Sequence, residues 1–398
     1  MLASARRLVT VDALVVGSGM VGASTAFSLA RAGADSVMVL EMEDAHGVHS
    51  TGRSAALYSE TYGSPLTRAL TTASKLALHG DAEAGAPPAD DPFLRPRGTV
   101  WVARQDQLDT MDAMLDAIVA EGLVTSLKRL DEAELRAIMP AIRPGYAAAG
   151  VYEPDAMDMD VNGLHMAFIR GGKAASVDFR TGAGLLAAAW DAHAGLWEIS
   201  DTTGSVHHAR MLVNAAGAWG DVVAERSGIA PLGLVPKRRT IMTWPAPAAA
   251  DYPADAPPAA WPMVFDVDEE FYFKPDAGQM LASPADATPV EPHDAYADDM
   301  DVAVCADRIM TATDLSIETL TASWAGLRTF APDSDFVLGP DGINPSFVWA
   351  VGMGGYGIQT APATGAVVAA TATGSALPSW IVNVGITSAD PFSPSRFS

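Results

Sequence analysis

The first apolar run of the chain predicts a buried β-strand, followed by a glycine-rich turn, a helix and a second strand. The strand spans residues 11–16, the turn spans residues 17–22, and residues 23–32 carry the apolar spacing of a helix. A second apolar run, residues 36–40, ends at Glu41. This order of elements is typical of a βαβ unit that binds a dinucleotide.

The spacing of the three glycines fits the chemistry of a pyrophosphate. Gly17 allows a tight turn, Gly19 lets the backbone approach the phosphates, and Gly22 lets the helix pack on the strand. The helix N-terminus then offers N–H groups to the anion, and Glu41 can accept hydrogen bonds from ribose hydroxyls. We predict an adenine dinucleotide site, with a tight turn that binds no ligand as the alternative. The pattern does not distinguish FAD from NAD.

Three later segments have polar or glycine-rich turns that suit contact with the same ligand. Residues 49–56 are polar and contain a glycine, and the apolar strand of residues 211–216 runs into Gly217. Residues 352–357 are rich in glycine and precede a predicted helix over residues 358–370, whose dipole would stabilise negative charge on a reduced flavin. Each segment alone is equally consistent with an ordinary turn or a packing contact.

Composition narrows the classes of protein to which the chain can belong. Its 398 residues favour two domains over one core, and its formal charge of −23 disfavours nucleic acid or an anionic membrane as a partner. Cys305 is the only cysteine, which excludes an internal disulfide and a cysteine-built metal site, and we expect no metal. No segment has membrane-spanning length, and the start, with Arg6 and Arg7, lacks an apolar signal-like stretch. We therefore expect a cytoplasmic protein without stable membrane insertion.

Several blocks in one order give the chain its family resemblance. They are residues 49–56, Asn214-Ala215-Ala216-Gly217-Ala218-Trp219, Pro236-Lys237-Arg238-Arg239, Phe271-Tyr272-Phe273-Lys274-Pro275, Trp324-Ala325-Gly326-Leu327-Arg328 and Gly354-Gly355-Tyr356-Gly357-Ile358-Gln359-Thr360. Over roughly residues 12–360 the chain resembles the FAD-dependent D-amino-acid oxidase and glycine/sarcosine oxidase superfamily, and most closely bacterial D-arginine dehydrogenase.

The resemblance implies an α/β fold (α+β overall) with two parts. One is a discontinuous, Rossmann-like FAD-binding domain of the glutathione-reductase type, formed by residues 1–85, 145–232 and 322–398. The other is an antiparallel-sheet substrate-binding domain, formed by residues 86–144 and 233–321. Short β-like runs between prolines and glycines in the second part agree with such a sheet.

The resemblance also implies which residues hold FAD, and that they hold it noncovalently. Cys305 lies outside the family blocks, and a covalent link through His49 is the alternative. The implied FAD contacts are Gly17, Gly19, Met20, Val21, Gly22, Glu41, Met42, Ser50, Thr51, Arg53, Ser54, Ala55, Ala56, Ala216, Gly217, Trp219, Gly354, Gly355, Tyr356, Gly357, Ile358, Gln359 and Thr360.

An amino-acid substrate presents a carboxylate, an amine and a side chain, and oxidation at Cα requires all three to be held. Arginine suits the carboxylate because its planar fork donates paired, charge-assisted hydrogen bonds. By resemblance, Arg239 and Arg328 hold the carboxylate, Tyr272 and Tyr62 line the pocket, and Tyr62 lies on a mobile loop that shields it. Without the resemblance, the arginines would read as surface pairs and Tyr272 as a sheet-core aromatic.

Two departures from D-arginine dehydrogenase affect the expected substrate. Leu57 stands where that enzyme has a histidine, and Thr99 aligns with its guanidinium-binding glutamate, although only Pro96-Arg97 anchors that alignment. A guanidinium without a partner in a closed pocket is unfavourable. We therefore expect a small substrate with a neutral, apolar side chain, in a pocket that Gly355 also lines.

The implied reaction is oxidative deamination. The amine loses its proton, hydride passes from Cα to flavin N5, and the resulting imino acid hydrolyses. The D configuration follows from the resemblance alone, no side chain is assigned as a general base, the electron acceptor is O₂ or a quinone, and we expect a monomer or small homo-oligomer. The alternatives are an N-methyl or cyclic imino-acid oxidase or dehydrogenase of the sarcosine or proline type and, from another class, a non-catalytic dinucleotide-binding protein.

Overall fold

The computed structural model describes residues 10–397, so Arg6 and Arg7 lie outside the described residues. None of the helices in that range is long and apolar enough to cross a membrane. In chain order the strands are β1 (Thr10–Val16), β2 (Val37–Leu40), β3 (Leu57–Tyr58), β4 (Leu94–Pro96), β5 (Thr99–Ala103), β6 (Lys128–Asp131), β7 (Ala149–Glu153), β8 (Met157–Met159), β9 (Asp178–Arg180), β10 (Leu185–Asp191), β11 (Leu196–Asp201), β12 (Val206–Asn214), β13 (Val235–Pro245), β14 (Met263–Asp266), β15 (Tyr272–Asp276), β16 (Gln279–Ser283), β17 (Thr288–Pro289), β18 (Ala322–Phe330), β19 (Val337–Pro340) and β20 (Phe347–Val351). The α-helices are α1 (Met20–Arg31), α2 (Pro65–Leu78), α3 (Leu108–Glu121), α4 (Glu132–Ile138), α5 (Val161–Ala174), α6 (Gly220–Arg226), α7 (Asp299–Ala312), α8 (Ala361–Thr373) and α9 (Ser379–Val382).

The first sheet has a parallel centre in the order β9, β2, β1, β12, β20, which confirms the Rossmann-like prediction. β19 adds an antiparallel strand beside β20, and the hairpin β10–β11 pairs with the first half of β12. Helices α1, α5 and α8 pack together beside this sheet. Residues 13–16 of β1 are all buried, as expected for a parallel strand covered on both faces.

The second sheet runs in the order β17, β13, β16, β15, β14, β5, β7, β6, and β18 also pairs with β13. Its pairs are antiparallel except for β5 and β14, which run parallel, so the predicted antiparallel sheet is in fact mixed. Strands β7 and β18 belong to this sheet although the sequence division assigned their residues to the FAD-binding part. The boundaries between the two domains stay a prediction.

The last long helix begins later than the apolar pattern indicated. We predicted a helix from residue 358, whereas α8 begins at Ala361 with Thr360 as its N-cap and Pro362 in its first turn. Proline is favoured in the first turn, where its missing N–H group has no partner to lose. The preceding residues are therefore available as a glycine-rich turn.

The carboxyl ends of three parallel strands meet at one edge of the first sheet. Val16 of β1 pairs with Leu40 of β2 and Asn214 of β12, and Asn214 pairs in turn with Trp349 of β20. Ligands of open α/β sheets bind at this edge. Strands β13 and β18 of the second sheet reach the same region. Arg239 of β13 and Arg328 of β18 line one cleft together with the first glycine turn.

Candidate active site

The turn after β1 is closed so tightly that only glycine fits at two positions. Gly17 has a φ of +98°, and a Cβ there would lie 2.6 Å from the Ala215 carbonyl oxygen. A Cβ on Gly22 would lie 1.9 Å from the Gly17 carbonyl oxygen. Gly22 thus lets α1 approach the turn after β1, whereas we predicted that it lets the helix pack on the strand, and contrary to the predicted FAD contact it does not line the cleft itself.

Helix α1 points its N-terminus at this cleft. Gly19 is the N-cap residue of α1, and it has no side chain that could cap the helix. The Met20 N–H donates to the Thr51 hydroxyl at 3.0 Å. Gly19, Met20 and Val21 line the cleft. N–H groups and the positive end of the helix dipole therefore face a space in which a pyrophosphate would be stabilised.

Glu41, at the end of β2, is a buried carboxylate beside the glycine turn. Its Oε2 accepts hydrogen bonds from the backbone N–H and the hydroxyl of Ser18, each at 2.8 Å, and its Oε1 accepts from the Glu43 N–H at 3.0 Å. The His46 Nδ1 lies 2.8 Å from the Ser18 hydroxyl. Glu41 also lines the cleft, so its remaining acceptor sites are placed for ribose hydroxyls.

Most of the residues predicted to contact FAD line this continuous cleft, together with Arg239, Tyr272 and Arg328. They are Gly17, Gly19, Met20, Val21, Glu41, Met42, Ser50, Thr51, Arg53, Ser54, Ala55, Ala216, Gly217, Trp219, Gly354, Gly355, Gly357 and Ile358. Ala56 and Gln359 line a smaller cavity beside the cleft. Segments separated by more than three hundred positions in the sequence are thus brought together.

Tyr356 and Thr360, also predicted FAD contacts, lie outside the linings of the cleft and the smaller cavity. The Tyr356 ring packs edge-on against Tyr62, with 4.8 Å between ring centroids, and burial raises the pKa of its phenol. The Thr360 hydroxyl donates to the Tyr356 carbonyl at 2.9 Å. These two residues stabilise the turn before α8 without lining the cleft.

Several cleft residues were not predicted, because they lie in no glycine motif and no family block. They include Gly47, Val48, Gly184, Leu185, Val222, Arg226 and Ile241. Only tertiary packing brings them to the cleft. Gly47 carried the one available signal, since a glycine just before the polar segment is typical of a turn.

The two side chains considered for a covalent link are differently placed. Cys305 is buried within α7 in the core of the second sheet, and burial raises the pKa of its thiol. His49 lines the cleft, but its Nε2 lies 2.8 Å from a carboxylate oxygen of Glu43. The ring of His49 also lies 4.6 Å from that of Trp219, centroid to centroid.

Arg239 and Tyr272 place two unsatisfied donors in the wall of the cleft. Arg239, only 6% exposed, donates from Nε to the Asp286 carbonyl at 2.7 Å, and its Cζ lies 5.9 Å from the centre of the Tyr272 ring. Among the described residues, neither the Arg239 Nη1 nor the Tyr272 hydroxyl has a hydrogen-bond partner. Buried polar groups are normally satisfied, so both groups fit an anionic ligand.

Arg328 lies on the same side of the sheet as Arg239. In the antiparallel pair β13–β18, Arg328 is opposite Lys237, and Arg239 is opposite Gly326. The Arg328 Nη1 donates to the Tyr62 hydroxyl oxygen at 2.9 Å. Because that oxygen accepts from the guanidinium, the Tyr62 proton is free to be donated to a ligand.

The smaller cavity has a volume of about 40 Å³, which is room for roughly three water molecules. Arg328, Tyr272 and Gly355 line both this cavity and the cleft, so the two adjoin. None of the described residues lining it is acidic. Its further lining is mostly apolar, from Ala55, Ala56, Leu57, Tyr62, Met263, Phe265 and Ile358.

Thr99 does not reach this cavity, contrary to our expectation. It is fully buried in β5, and its hydroxyl donates to the Met263 carbonyl at 2.9 Å. Because β5 and β14 are parallel neighbours with Thr99 beside Met263, the side chain of Met263 forms the wall instead. Leu57 does line the cavity, as predicted.

The chain matches the family model for FAD-dependent oxidoreductases of the DAO type over residues 12–371, and it therefore belongs to that family. It is 23% identical to FAD-dependent oxidoreductase domain-containing protein 1 of Bos taurus over 402 residues, covering 90% of this chain and 80% of the relative. The fold is similar to that of glycine oxidase from Geobacillus kaustophilus, with a TM-score of 0.80, 21% identity, and coverage of 97% of this chain and 99% of that one. It is also similar to L-proline dehydrogenase from P. horikoshii, with a TM-score of 0.79, 17% identity and 98% coverage of each chain.

Family membership establishes FAD as the cofactor and confirms the superfamily resemblance, whereas the particular closeness to D-arginine dehydrogenase stays a prediction. The residues that line the cleft fit the chemistry of FAD. The helix N-terminus and Glu41 suit the diphosphate and a ribose. Arg239 and Tyr272, in the same cleft, each keep a polar atom without a partner among the described residues.

Proposed function

We propose that the protein oxidises the Cα–N bond of a small amino acid with a neutral, apolar side chain, and that the substrate is the D-enantiomer. The observation that carries the proposal is the pair of buried, unsatisfied donors, Arg239 Nη1 and Tyr272 Oη, in the wall of a flavin cleft. A substrate carboxylate would satisfy both. Neutral ligands would leave the guanidinium without an ionic partner, which is unfavourable in a buried site.

Arg328 and Tyr62 would complete the carboxylate site. The Arg328 guanidinium already donates to the Tyr62 oxygen, so the Tyr62 O–H is left to donate to a carboxylate oxygen of the substrate. A chain of donors from guanidinium to phenol to carboxylate polarises each bond in turn. Together with Arg239 this arrangement fixes the substrate about its carboxylate and leaves Cα free to face the flavin.

The small cavity favours a short side chain. Its volume of about 40 Å³ is suited to a side chain of roughly three heavy atoms or fewer. Leu57, Met263 and Phe265 supply apolar contacts there, and an ammonium or guanidinium would find no carboxylate among the described lining residues. Glycine, alanine and similarly small substrates would fit this cavity better than arginine or lysine.

When bound, FAD supplies the two-electron acceptor for the hydride that leaves Cα. The residues of this chain position the substrate, exclude water from the cavity and hold the carboxylate charge. We assign no general base, since the described residues that line the small cavity include no carboxylate or imidazole. Noncovalent FAD and an O₂ or quinone acceptor belong to the proposal.

A secondary-amine substrate is the second candidate. Sarcosine or proline would need the same carboxylate site. The similar fold of L-proline dehydrogenase from P. horikoshii is the reason for retaining this second candidate. Likeness at this level of identity concerns the fold alone. The choice between primary and secondary amines, and between enantiomers, therefore rests on substrate profiling.

The decisive experiment follows flavin absorbance under anaerobic conditions. The purified protein, with its flavin confirmed by release on denaturation, is mixed with D- and L-alanine, D- and L-leucine, D-arginine, sarcosine and L-proline. Rapid bleaching by D-alanine with little by D-arginine is expected. Bleaching by sarcosine or proline alone would replace the proposal with the second candidate, and a flavin that no amino acid reduces would overturn amine oxidation.

A matched pair of variants tests the carboxylate site. Arg239→Lys removes the planar fork but keeps the charge, and we expect the second-order rate of flavin reduction to fall roughly 10- to 100-fold. Arg238→Lys is the control, because Arg238 is the preceding residue of β13 and its Nη2 pairs with Asp301 at 2.7 Å. Equal losses in both variants would argue against a carboxylate contact by Arg239.

A further inference from the structure

We propose that Glu153 is a positioning residue that fixes Tyr62, and through it Arg328, by tying the segment before Tyr62 to the second sheet. This role rests on the proposed carboxylate-binding function of Tyr62 and Arg328. It also makes the segment a fixed wall of the site, in place of the mobile loop that the family resemblance implied. Nothing in the sequence pattern pointed to Glu153, because it lies in β7, far along the chain from Tyr62.

Glu153 is a fully buried carboxylate whose hydrogen bonds converge on one short segment. Its Oε2 accepts from the hydroxyls of Ser59 and Thr61, each at 2.7 Å, and its Oε1 accepts from the Glu60 N–H at 2.8 Å. Burial raises the pKa of Glu153, and the donors oppose that rise. A buried carboxylate is stable only where several donors compensate it, and here three consecutive residues do so.

Further contacts hold the same segment from other sides. The Trp101 Nε1 donates to the Thr61 hydroxyl at 3.2 Å, and the Ser59 N–H donates to the Gln359 side-chain oxygen at 3.2 Å. The Glu60 carboxylate turns away from Glu153 to pair with Lys75 at 2.8 Å. Residues 59–61 are each at most 3% exposed, so the segment has the burial of a core element.

Tyr62 follows directly after this segment, so the position of residues 59–61 sets the position of its ring. The ring packs between Phe265 and Tyr356, with centroid distances of 5.4 and 4.8 Å. Its hydroxyl oxygen receives the hydrogen bond from Arg328. Losing the Glu153 contacts would free the segment, and with it the Tyr62 oxygen that orients the guanidinium.

The test uses the FAD-bound protein and two readouts. Hydrogen exchange at the Glu60 amide reports the bond to Glu153 directly, and the change in flavin absorbance on adding propionate reports carboxylate binding without assuming a substrate. Glu153→Ala removes every hydrogen bond of this side chain, and Glu153→Leu, which fills most of the space and accepts no hydrogen bond, serves if the alanine variant does not fold. Asp201→Asn is the control, since Asp201 is an equally buried carboxylate, bonded to His207 and Thr203, in the first sheet.

We expect Glu60 exchange to accelerate and the propionate Kd to rise, each by about tenfold or more, in the Glu153 variants but not in Asp201→Asn. Combining Glu153→Ala with Tyr62→Phe should weaken propionate binding little more than Tyr62→Phe alone, because the two act through one hydroxyl. Unchanged Glu60 exchange would overturn the proposal. Faster exchange with unchanged propionate affinity would reduce Glu153 to a purely structural role, which also overturns it.

If the wild-type protein fails to bind propionate, the proposed function of the carboxylate site fails by that result alone. The exchange readout still decides whether Glu153 fixes the segment. Additive losses in the double variant would mean that Glu153 acts on the site by a route other than Tyr62, and would contradict the proposal.

Discussion

At the scale of single residues, the candidate site depends on where guanidinium groups are held. Arg239 is anchored through Nε to the Asp286 carbonyl, which leaves Nη1 free, whereas Arg328 is anchored through Nη1 to Tyr62. Arg238, which directly precedes Arg239 in the same family block, forms an ion pair with Asp301. Strand alternation separates these neighbours, because successive side chains point to opposite faces.

Gly355 lies directly against the Arg328 guanidinium. A Cβ on Gly355 would lie 2.7 Å from the Arg328 Cζ, so alanine there must displace the guanidinium. We predict that Gly355→Ala keeps its FAD and its free energy of unfolding within about 1 kcal/mol, because the displaced group is the end of a flexible side chain. We also predict that it binds propionate about tenfold or more weakly.

The measurement is a propionate titration followed by flavin absorbance, with Gly342→Ala as the control. A Cβ on Gly342 would meet only the Ser395 hydroxyl, at 3.3 Å, and Gly342 does not line the cleft. Wild-type propionate affinity in Gly355→Ala would show that the position of Arg328 does not govern carboxylate binding.

The sequence-based candidates that line the cleft are those that a local motif or a family block identified. Gly17, Glu41 and Arg239 line the cleft for that reason. Thr99 was misplaced because its neighbour across the sheet is set by the parallel pairing of β5 with β14, which no local pattern encodes. Glu153 was missed for the same reason, since its partners lie more than ninety positions away in the sequence.

At the scale of elements, the βαβ unit was predictable because its signals are local. The strand, the turn and the helix follow one another, and the observed β1 and α1 agree with the pattern within a few residues. The mixed second sheet was not predictable in detail. It takes strands from two separate stretches of the chain, residues 99–153 and 235–330, and the order of such strands is set by packing rather than by periodicity.

The contact between α1 and the turn should be a strict requirement for FAD binding. A Cβ on Gly22 would lie 1.9 Å from the Gly17 carbonyl oxygen, which is backbone and cannot move aside. Gly22→Ala must therefore push the helix N-terminus away from the pyrophosphate position. We predict a protein that is purified without flavin, and that takes up added FAD at least about 100-fold more weakly.

Flavin content at 450 nm and a titration with FAD measure this effect. Arg31→Ala is the control, because Arg31 lies in the last turn of the same helix and bonds to the Ala82 carbonyl. A yellow Gly22→Ala protein with wild-type FAD affinity would mean that the observed contact between turn and helix is not needed for binding.

At the scale of the whole molecule, the cleft joins the two sheets. The first glycine turn and Glu41 follow strands of the first sheet, while Arg239 and Ile241 of β13 and Leu327 of β18 belong to the second. A ligand that fills the cleft therefore contacts both sheets at once. The formal charge of −23 adds self-repulsion, so stabilities should be compared at one ionic strength.

Binding of FAD should stabilise the folded molecule more than binding of its ADP half does. A ligand that binds only the folded state adds about 2.7 kcal/mol at one hundred times its Kd. ADP would occupy the side near the glycine turn and Glu41, whereas the flavin half of FAD would extend along the cleft towards the lining residues of β13 and β18. Thermal unfolding of the apoprotein with equal concentrations of FAD, ADP or neither should therefore give the largest rise in Tm with FAD. An equal rise with ADP would mean that contacts to the second sheet contribute nothing to cofactor binding, and the cleft would not join the two sheets energetically.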